Sequence, residues 1–254
     1  MLRNYRLRSA QATRPDPLGG RFVTWATTAA QARGVKGADI PEVVDDNEAG
    51  DVGKNGAVSL TIDEIERLLA SGTDRRVTVG EKFGVGEKYG IDAGPSGRMP
   101  FTHLDHALQT AAVLRQEFPD EIELAVAGLV HDIGHLLPGV GDAEHAEVGA
   151  GSVRAALGDR VAGPVGLHVE AKRYLVARQS AYAEVLAADS VASLALQGGP
   201  MSAQEQHDFE RLPHARRAVD LRRADERGKV DGLEVAGLGE WMAVVRALYA
   251  APST

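Results

Sequence analysis

The stretch "GLVHDIGHLLPG", residues 128–139, joins the end of an apolar run to two histidines and an aspartate. We interpret residues 122–137 as one helix that carries His131, Asp132 and His135 into the interior. Residues four apart share a helical face, so His131 and His135 are expected to reach the same space, with the Asp132 carboxylate beside them. These three residues are compatible both with a buried polar cluster and with a metal site, and alone they do not distinguish the two.

The composition limits the classes of protein to consider. The chain has 254 residues, of which 44% are hydrophobic, enough for one large globular domain or one domain with an appendage. It carries 36 acidic and 28 basic side chains, a formal charge of -8, so no general affinity for nucleic acid or anionic membranes is expected. No apolar run reaches the roughly 18 residues of a membrane span, and the basic N-terminus lacks a signal-peptide core, which predicts a cytoplasmic location. The sequence carries no signal for oligomeric state.

Cysteine is absent from the chain, and this restricts any metal chemistry. Disulfides, zinc–thiolate sites, iron–sulfur clusters and cysteine nucleophiles are all excluded. A metal ion in this protein must therefore be held by imidazole and carboxylate groups.

Two regions differ in character. Residues 1–58 are rich in Gly, Pro and Asp, which predicts a loosely ordered, irregular N-terminal extension with a short helix around "FVTWATTAAQA". Residues 59–254 are predicted to form an all-α helical bundle, beginning with "TIDEIERLLAS", where Thr61 and Glu64 have capping-box spacing. Further helical patterns follow in "FTHLDHALQTAAVLRQEF", "DAEHAEVGAGSVRAAL", "VGLHVEAKRYLVAR", "SAQEQHDFERL", "ARRAVDLRRADERGKV" and "GLGEWMAVVRALYA".

Six of the eight histidines lie between residues 103 and 168, on consecutive predicted helices. Asp132 has a second oxygen available after binding one cation, which makes it a candidate bridge between two metals. A further acid would come from Asp225, much later in the chain. The candidate ligands are His106, His131, Asp132, His145, His168 and Asp225. Nitrogen and oxygen donors of this kind suit iron or manganese, and also accept zinc or nickel.

Each candidate also has an ordinary structural explanation. A single histidine on an apolar helix is more often a hydrogen-bonded core residue than a ligand. Asp225 alone would be a solvated acid or an ion-pair partner of Arg222 or Arg223. His103 is expected at the surface or beside the site, and His207 and His214 are expected at the surface. The set of positions, rather than any one residue, favours the metal site.

Several segments resemble the HD-domain oxygenases of phosphonate breakdown, which are relatives of myo-inositol oxygenase. They are "LDHALQ", "GLVHDIGHLL", "HAEVGA", "LHVEAKRYL", "SLALQGGPMS" and "LRRADERGKV". The resemblance runs from about Thr61 to the C-terminus and implies an HD-domain helical bundle over residues 59–254. "HVEAKRYL" and "SLALQGGPMS" carry most of its specificity, because HD-type hydrolases share the His-Asp pair.

The resemblance implies two iron ions in a mixed-valent Fe(II)/Fe(III) state, with O₂ as co-substrate. One iron would be held by His106, His131, Asp132 and Asp225, and the other by Asp132, His145 and His168, which leaves open positions on the second iron. His135 and Lys172 would face the substrate in catalysis. Lys172 and Arg222 would meet a phosphonate group, with Ser190 and Gln197 nearby. Without the resemblance, Lys172 and Arg222 would be interpreted as ordinary charged side chains on the solvated face of a helix.

The reaction implied is oxidative cleavage of the C–P bond of a 1-hydroxyphosphonate, giving a carboxylic acid and phosphate. The partner is thus a small organophosphonate, with neither nucleic acid nor membrane involved. Relatives acting on an amino-bearing substrate have a Tyr and a Glu before the first ligand histidine. Here Met99 stands where that Glu would be and Tyr89 is the candidate Tyr, with Asp92 as a possible replacement acid, so the tail of the substrate stays open.

Three alternatives stay open at this point. An HD-type metal-dependent phosphohydrolase would use His131 and Asp132 equally well but would not account for "HVEAKRYL" or "SLALQGGPMS". An inositol-oxygenase-like enzyme would cleave a C–C bond in a polyol. A non-enzymatic HD-fold module would be expected to have lost ligands, and none of the six is missing.

Overall fold

The computed structural model describes residues 58–78, 98–184, 186 and 188–249. Apart from Val58, the predicted N-terminal extension and its short helix lie outside the described residues. The helices of the described part are α1 (Ile62–Ser71), α2 (His103–Glu117), α3 (Ile122–Val130), α4 (His145–Leu157), α5 (Asp159–Gly166), α6 (His168–Arg178), α7 (Ser180–Ala183), α8 (Ala188–Leu196), α9 (Ala203–Glu210), α10 (Ala215–Arg227) and α11 (Leu238–Tyr249). The prediction of an all-α bundle is confirmed. No helix in this part of the chain is both long and apolar enough to cross a bilayer.

Two short 3₁₀ turns and a two-stranded sheet complete the described part. The 3₁₀ turns are Gly72–Asp74 and Ile133–Leu136, and the strands are β1 (Arg76–Thr78) and β2 (Arg98–Thr102). The strands pair antiparallel, with Arg76 opposite Thr102. Strand β2 ends at Thr102, immediately before the first residue of α2. The amide of that first residue, His103, donates to the Arg75 carbonyl at 2.9 Å and so ties the start of α2 to the residue before β1.

Capping residues fix where three helices begin. Thr61 forms a reciprocal capping box with Glu64 at the start of α1, as the spacing predicts. Thr102 forms the same arrangement with Asp105 at the start of α2, and Ser202 does so with Glu205 at the start of α9. The cap at Thr102 sets the position of His106, which lies one turn into α2.

The core is formed by the apolar faces of α1 to α5, α10 and α11. Leu114, Leu129, Leu157 and Trp241 are completely or almost completely buried within it. Gly128 allows α2 and α3 to approach closely, since a Cβ at this position would lie 3.2 Å from the Ala111 Cα atom. The start of the motif "GLVHDIGH" is thus packed against α2, which carries His106.

The helix predicted over residues 122–137 is interrupted, and this prediction was wrong. Helix α3 ends at Val130, Asp132 takes φ -100° and ψ 12°, and a separate 3₁₀ turn begins at Ile133. The continuous helix predicted through residues 165–178 is likewise divided at Leu167 between α5 and α6. In both places a histidine, His131 or His168, follows the last residues of a helix. Its ring forms a hydrogen bond to a carbonyl of that helix, and this bond competes with the backbone hydrogen bond that would continue the helix. The short helix α7 and the longer α8 were not predicted.

Candidate metal centre

Four histidines and two aspartates from five parts of the fold meet in the interior. They form two neighbouring groups of potential ligand atoms, His106 with His131 and Asp225, and Asp132 with His145 and His168. The four imidazoles and Asp225 are buried, and Asp132 is partly exposed. All six side chains predicted as ligands are therefore brought together, although residues 106 and 225 are far apart in sequence.

The orientation of each imidazole is fixed by the same kind of hydrogen bond. Nδ1 of His131, His145 and His168 lies 2.7 to 2.8 Å from the carbonyl oxygen three residues earlier. Nδ1 of His106 lies 2.9 Å from the Gly228 carbonyl, just after α10. A carbonyl oxygen only accepts, so each Nδ1 must carry the proton and each Nε2 presents a lone pair to the centre. This is the tautomer that a metal-binding histidine requires.

The Nε2 atoms need a positive partner. Those of His145 and His168 lie 3.0 Å apart, and with both Nδ1 atoms protonated this contact sets one lone pair against another. The Nε2 atom of His131 is buried without a hydrogen-bond partner among the described residues. Two facing lone pairs and one orphaned acceptor are unfavourable in a metal-free interior. Cations coordinated by these atoms would remove both defects, so the residues fit a metal centre.

Asp132 lies between the two groups. One carboxylate oxygen is 3.7 Å from Nε2 of His106 and 3.4 Å from Nε2 of His131. The other oxygen is 3.6 Å from Nε2 of both His145 and His168. Each oxygen thus faces a different group, as a carboxylate shared by two cations would.

The electrostatics of the site favour neutral imidazoles and ionised carboxylates. Burial lowers the pKa of His145 to about 4 and holds the pKa of His168 well below its ordinary value. Burial opposes ionisation of Asp132, but the neighbouring His131 and His135 hold its pKa well below the usual range. For His106, burial is outweighed by the hydrogen bond and charge of Asp225, and its pKa is raised. Apart from His106, these are the protonation states in which the groups bind metal.

His135 does not share a helical face with His131, contrary to the prediction. It lies in the 3₁₀ turn, and its ring stacks on His145 with a centroid distance of 3.9 Å. Its Nδ1 atom is 3.7 Å from a carboxylate oxygen of Asp142. His135 therefore supports the His145 group and lines the cleft beside it.

The remaining histidines lie outside the two groups. The His103 ring packs beside His135, and burial lowers its pKa to about 4. His207 is exposed, as predicted. His214 is only partly exposed, and its Nε2 atom contacts Asp159 at 2.9 Å.

A cleft opens onto the candidate metal centre and contains most of the residues predicted to meet the substrate. His135, Lys172, Ser190, Gln197 and Arg222 all line it. Lys172 is 5% exposed and donates to the Ser193 hydroxyl at 2.8 Å. The predicted substrate-facing side chains therefore share one cavity with the ligand groups, although the sequence did not single out Ser193.

Arg222 is engaged by protein carboxylates. Its guanidinium donates to Asp225, to Glu226 at 2.5 Å and to the Ser190 hydroxyl at 2.9 Å. Burial alone would lower the pKa of Arg222, but Asp225 and Glu226 raise it. Its predicted contact with a substrate would therefore be shared with these two acids.

Two charged residues of this site were missed from the sequence. Lys229 lines the cleft and donates to the Ser190 hydroxyl at 2.8 Å, and Glu226 lies beside Arg222. Their spacing was an available signal, since Glu226 follows Arg222 by four residues and Lys229 follows Asp225 by four, so each pair shares a face.

The structure does not test the roles of the three residues that the sequence places near the tail of the substrate. Tyr89 and Asp92 lie outside the described residues. Met99 lies in strand β2, and its side chain is not among those described. Their roles stay predictions.

The helical bundle and its buried cluster define a protein with two adjacent candidate metal sites joined by one aspartate. The model of the family described as Myo-inositol oxygenase matches residues 75–154. A [1-hydroxy-2-(trimethylamino)ethyl]phosphonate dioxygenase (glycine-betaine-forming) from Leisingera caerulea is 37% identical over 143 residues, 53% of this chain and 72% of the relative. A hydroxymethylphosphonate dioxygenase from Gimesia maris is 40% identical over 149 residues, 55% of this chain and 74% of the relative. A probable inositol oxygenase from Oryza sativa subsp. japonica is 46% identical over 46 residues, 18% of this chain and 14% of the relative.

The chain belongs to the family that includes these phosphonate dioxygenases and is related to myo-inositol oxygenase. The family resemblance recognised in the sequence is therefore confirmed, and the protein is an oxygenase-type enzyme. This membership favours oxygenase chemistry over the HD-type phosphohydrolase and the non-enzymatic module.

Proposed function

We propose that this enzyme cleaves the C–P bond of a 1-hydroxyphosphonate with O₂ at a di-iron centre, giving a carboxylic acid and phosphate. The observation that carries the proposal is the pair of histidine–aspartate groups facing a cleft lined by cationic side chains. The atoms balance with one molecule of O₂, because the carbon gains the oxygen of a carboxylic acid and phosphorus gains that of phosphate. The two dioxygenase relatives support the same reaction class.

The six ligands divide unequally between the two ions. One iron would be held by His106, His131, Asp225 and one oxygen of Asp132. The other would be held by His145, His168 and the second oxygen of Asp132, so it keeps more open positions for substrate. Bound iron would supply the one-electron chemistry that O₂ requires, which zinc does not offer. The nitrogen and oxygen donors suit iron in either oxidation state.

The cleft has the charge needed for a phosphonate. Lys172, Arg222 and Lys229 are almost fully buried around it. Buried cations are costly unless an anion compensates them, and a phosphonate adds negative charge where Asp225 and Glu226 already offset part of the positive charge. Lys172 approaches from α6, and Arg222 and Lys229 from α10 and the residues after it. A phosphonate between them would be held from two sides, with its carbon directed toward the His145 group.

The serine hydroxyls of α8 would fix the orientation of that phosphonate. Ser190 receives hydrogen bonds from Arg222 and Lys229, and Ser193 receives one from Lys172. A phosphonate oxygen could replace either hydroxyl as the acceptor of these cationic donors. The charge-assisted contacts formed would be stronger than those to a neutral hydroxyl. These contacts would orient the substrate in the cleft.

An inositol-oxygenase-like C–C cleavage of a polyol is less well supported. A neutral polyol would add no negative charge to a cleft lined by Lys172, Arg222 and Lys229, where Asp225 and Glu226 offset only part of the positive charge. The cleft therefore favours an anionic substrate.

The test is anaerobic reconstitution of the protein with iron, partial oxidation, and EPR spectroscopy with and without 1-hydroxyphosphonates. The expected result is a mixed-valent signal that changes on substrate addition, followed by phosphate release when O₂ is admitted. Equal amounts of phosphate and carboxylic acid should form per O₂ consumed. Release of phosphate from nucleotides in the absence of O₂ would instead identify a hydrolase, and turnover of inositol alone would favour the C–C cleaving alternative.

A further inference from the structure

Helix α2 carries a buried glutamine that the candidate metal centre does not use. Gln109 is the last residue of the segment "LDHALQ", three positions after His106, and it is only 2% exposed. Residues three apart lie on the same side of a helix, so Gln109 and His106 are expected to face the same neighbour. That neighbour is the short segment of residues 228–230, which directly follows α10.

The Gln109 amide bonds both main-chain groups of Val230. Its Nε2 atom donates to the Val230 carbonyl at 2.8 Å, and its Oε1 atom accepts from the Val230 amide at 3.0 Å. A side-chain amide offers a donor and an acceptor side by side, so it pairs with the main chain as a second peptide group would. These two bonds fasten the chain after α10 to the helix that carries His106, across 121 positions of sequence.

Gly228 makes a second attachment to α2. Its carbonyl oxygen accepts from Nδ1 of His106 at 2.9 Å. The main chain lies directly on the helix here, since a Cβ atom on Gly228 would be 2.8 Å from the Thr110 amide nitrogen. The carbonyl that orients the His106 ring is therefore placed by the close packing of residues 228–230 against α2.

Lys229 lies between these two attachments, and its side chain is directed into the cleft. Its Nζ atom is 2.8 Å from the Ser190 hydroxyl and 3.7 Å from a carboxylate oxygen of Asp225, and the side chain is 6% exposed. Lysine carries its charge at the end of a flexible four-carbon stem. The place of the ammonium group therefore depends on how firmly the main chain on either side is held.

We propose that Gln109 is a positioning residue of this enzyme. By holding residues 228–230 against α2, it keeps the Gly228 carbonyl on His106 and the Lys229 ammonium group in the cleft. Gln109 acts through these two residues and not by contact with substrate. The effect on His106 concerns the metal centre alone, whereas the effect on Lys229 rests on the proposed function.

A purely structural role for Gln109 makes a different prediction. Removing the amide leaves both main-chain groups of Val230 unpaired in the interior, which destabilises the fold in either case. Lower stability therefore does not decide between the two roles. Metal affinity does, because it should fall only if the loosened segment releases the His106 ring.

The first experiment compares Gln109→Met with two variants that weaken the core elsewhere. Methionine has a similar size but cannot replace the two hydrogen bonds. The controls are Val245→Ala and Met242→Ala, which alter buried residues of α11, a helix that carries no residue of the site. Urea unfolding is measured on the metal-free proteins, and iron retention against a chelator is measured after anaerobic reconstitution.

We expect Gln109→Met to lower the affinity for the more readily lost iron about tenfold, since outer partners of metal-binding histidines affect metal affinity by ten- to a hundredfold. Both controls should unfold at lower urea concentration and keep the iron affinity of the wild type. Unchanged iron affinity in Gln109→Met overturns the proposal. So does an equal loss of iron in a control with the same urea midpoint.

The second experiment tests the action through Lys229. Binding of hydroxymethylphosphonate is measured anaerobically by calorimetry, with iron in excess, for the wild type, Gln109→Met, Lys229→Met and the double variant. Each single change should weaken binding about tenfold, and the double variant should bind no more weakly than Lys229→Met, because coupled residues are not additive. Fully additive losses overturn the action through Lys229.

The two experiments separate this proposal from the proposed function. A wild-type protein that binds no phosphonate, with selective loss of iron in Gln109→Met, refutes the proposed function and supports the positioning of His106. Phosphate release that requires O₂, with iron and phosphonate affinities unchanged in Gln109→Met, supports the proposed function and refutes the positioning role.

Discussion

Gly134 lies inside the motif "HDIGH", and the structure gives a steric reason for a glycine there. A Cβ atom at this position would lie 2.7 Å from the His145 carbonyl carbon and 2.8 Å from its Cα atom, with the carbonyl oxygen closer still. Ordinary Cβ contacts are not below 3.0 Å, and the obstructing atoms are backbone, which cannot rotate away. Gly134→Ala must therefore push the 3₁₀ turn and the start of α4 apart.

The size of that displacement determines the expected effect. Restoring the closest of these contacts to at least 3.0 Å requires movement of about 1 Å or more, whereas ligand geometry tolerates roughly 0.5 Å. His145 is the first residue of α4, so its ring moves with the backbone. A misplacement near 1 Å costs on the order of a hundredfold in rate. We expect the group of Asp132, His145 and His168 to lose metal before the group of His106, His131 and Asp225.

The assay compares Gly134→Ala with Gly151→Ala. Gly151 lies within α4, and a Cβ there meets nothing within 4 Å. Its replacement by alanine should be neutral or stabilising by up to about 1 kcal/mol, because alanine has the higher helix propensity. Iron per chain, thermal unfolding and kcat/KM are measured for both variants. Full iron content and activity in Gly134→Ala would refute the proposed dependence of the centre on this contact.

Four further predictions address single features of the site. Asp132→Ala should abolish magnetic coupling between the two irons, and EPR that still shows a coupled pair would contradict the bridging assignment. Lys172→Ala should raise KM for the phosphonate about tenfold or more with iron content intact, whereas loss of iron would remove Lys172 from the substrate role. Arg173 bonds the Gly199 carbonyl at 2.9 Å and Glu205 at 2.5 Å, tying α6 to the turn after α8. Arg173→Ala should therefore raise KM more than it lowers kcat, with partial recovery in Arg173→Lys, and an equal effect on both constants would argue against positioning. The metal-free protein should lose stability as pH falls from 6.5 toward 4, because His103 and His145, each with a pKa near 4, stay neutral when folded but take up protons when unfolded. By pH 5 each of these two histidines should lower the free energy of unfolding by up to about 2 kcal/mol. A midpoint of urea unfolding that does not change between pH 7.5 and pH 5 would contradict this.

The candidate ligand set could be proposed from the sequence because its six positions were considered together, although each residue alone has an ordinary structural explanation. Imidazoles on apolar helices need a partner, and the absence of cysteine leaves only histidine and carboxylate as the main donors. The fold class followed from helical periodicity, and the start of α1 from the spacing of Thr61 and Glu64. Local patterns of this kind are read over a few residues and do not depend on distant contacts.

The contacts that shape the cleft join residues far apart in the chain, so they could not be predicted from the sequence. Glu226 and Lys229 were overlooked because a charge in a predicted helix is usually solvated, whereas in the structure both side chains are almost fully buried beside Ser190 of α8. Helix α8 was missed since its sequence, "ADSVASLAL", is short and its role comes from Ser190 and Ser193 meeting cations on other helices. Asp142 was passed over for the same reason, as nothing nearby in sequence places it beside Gln197.

The interruption of the helix at His131 explains how one short motif contributes to both groups of candidate ligands. In a continuous helix His135 would lie one turn above His131 and face the same ion. Because α3 ends at Val130 and the backbone turns at Asp132, the carboxylate points between the groups while His135 is carried across to stack on His145. Two contacts hold this turn in place. Nδ1 of His131 forms a hydrogen bond to the Gly128 carbonyl before the turn, and Gly134 after it packs closely against the backbone of His145 in α4. A variant that restored helical geometry here would be expected to separate Asp132 from one of the two groups, so the break itself, and not only the residue types, is required for a shared carboxylate.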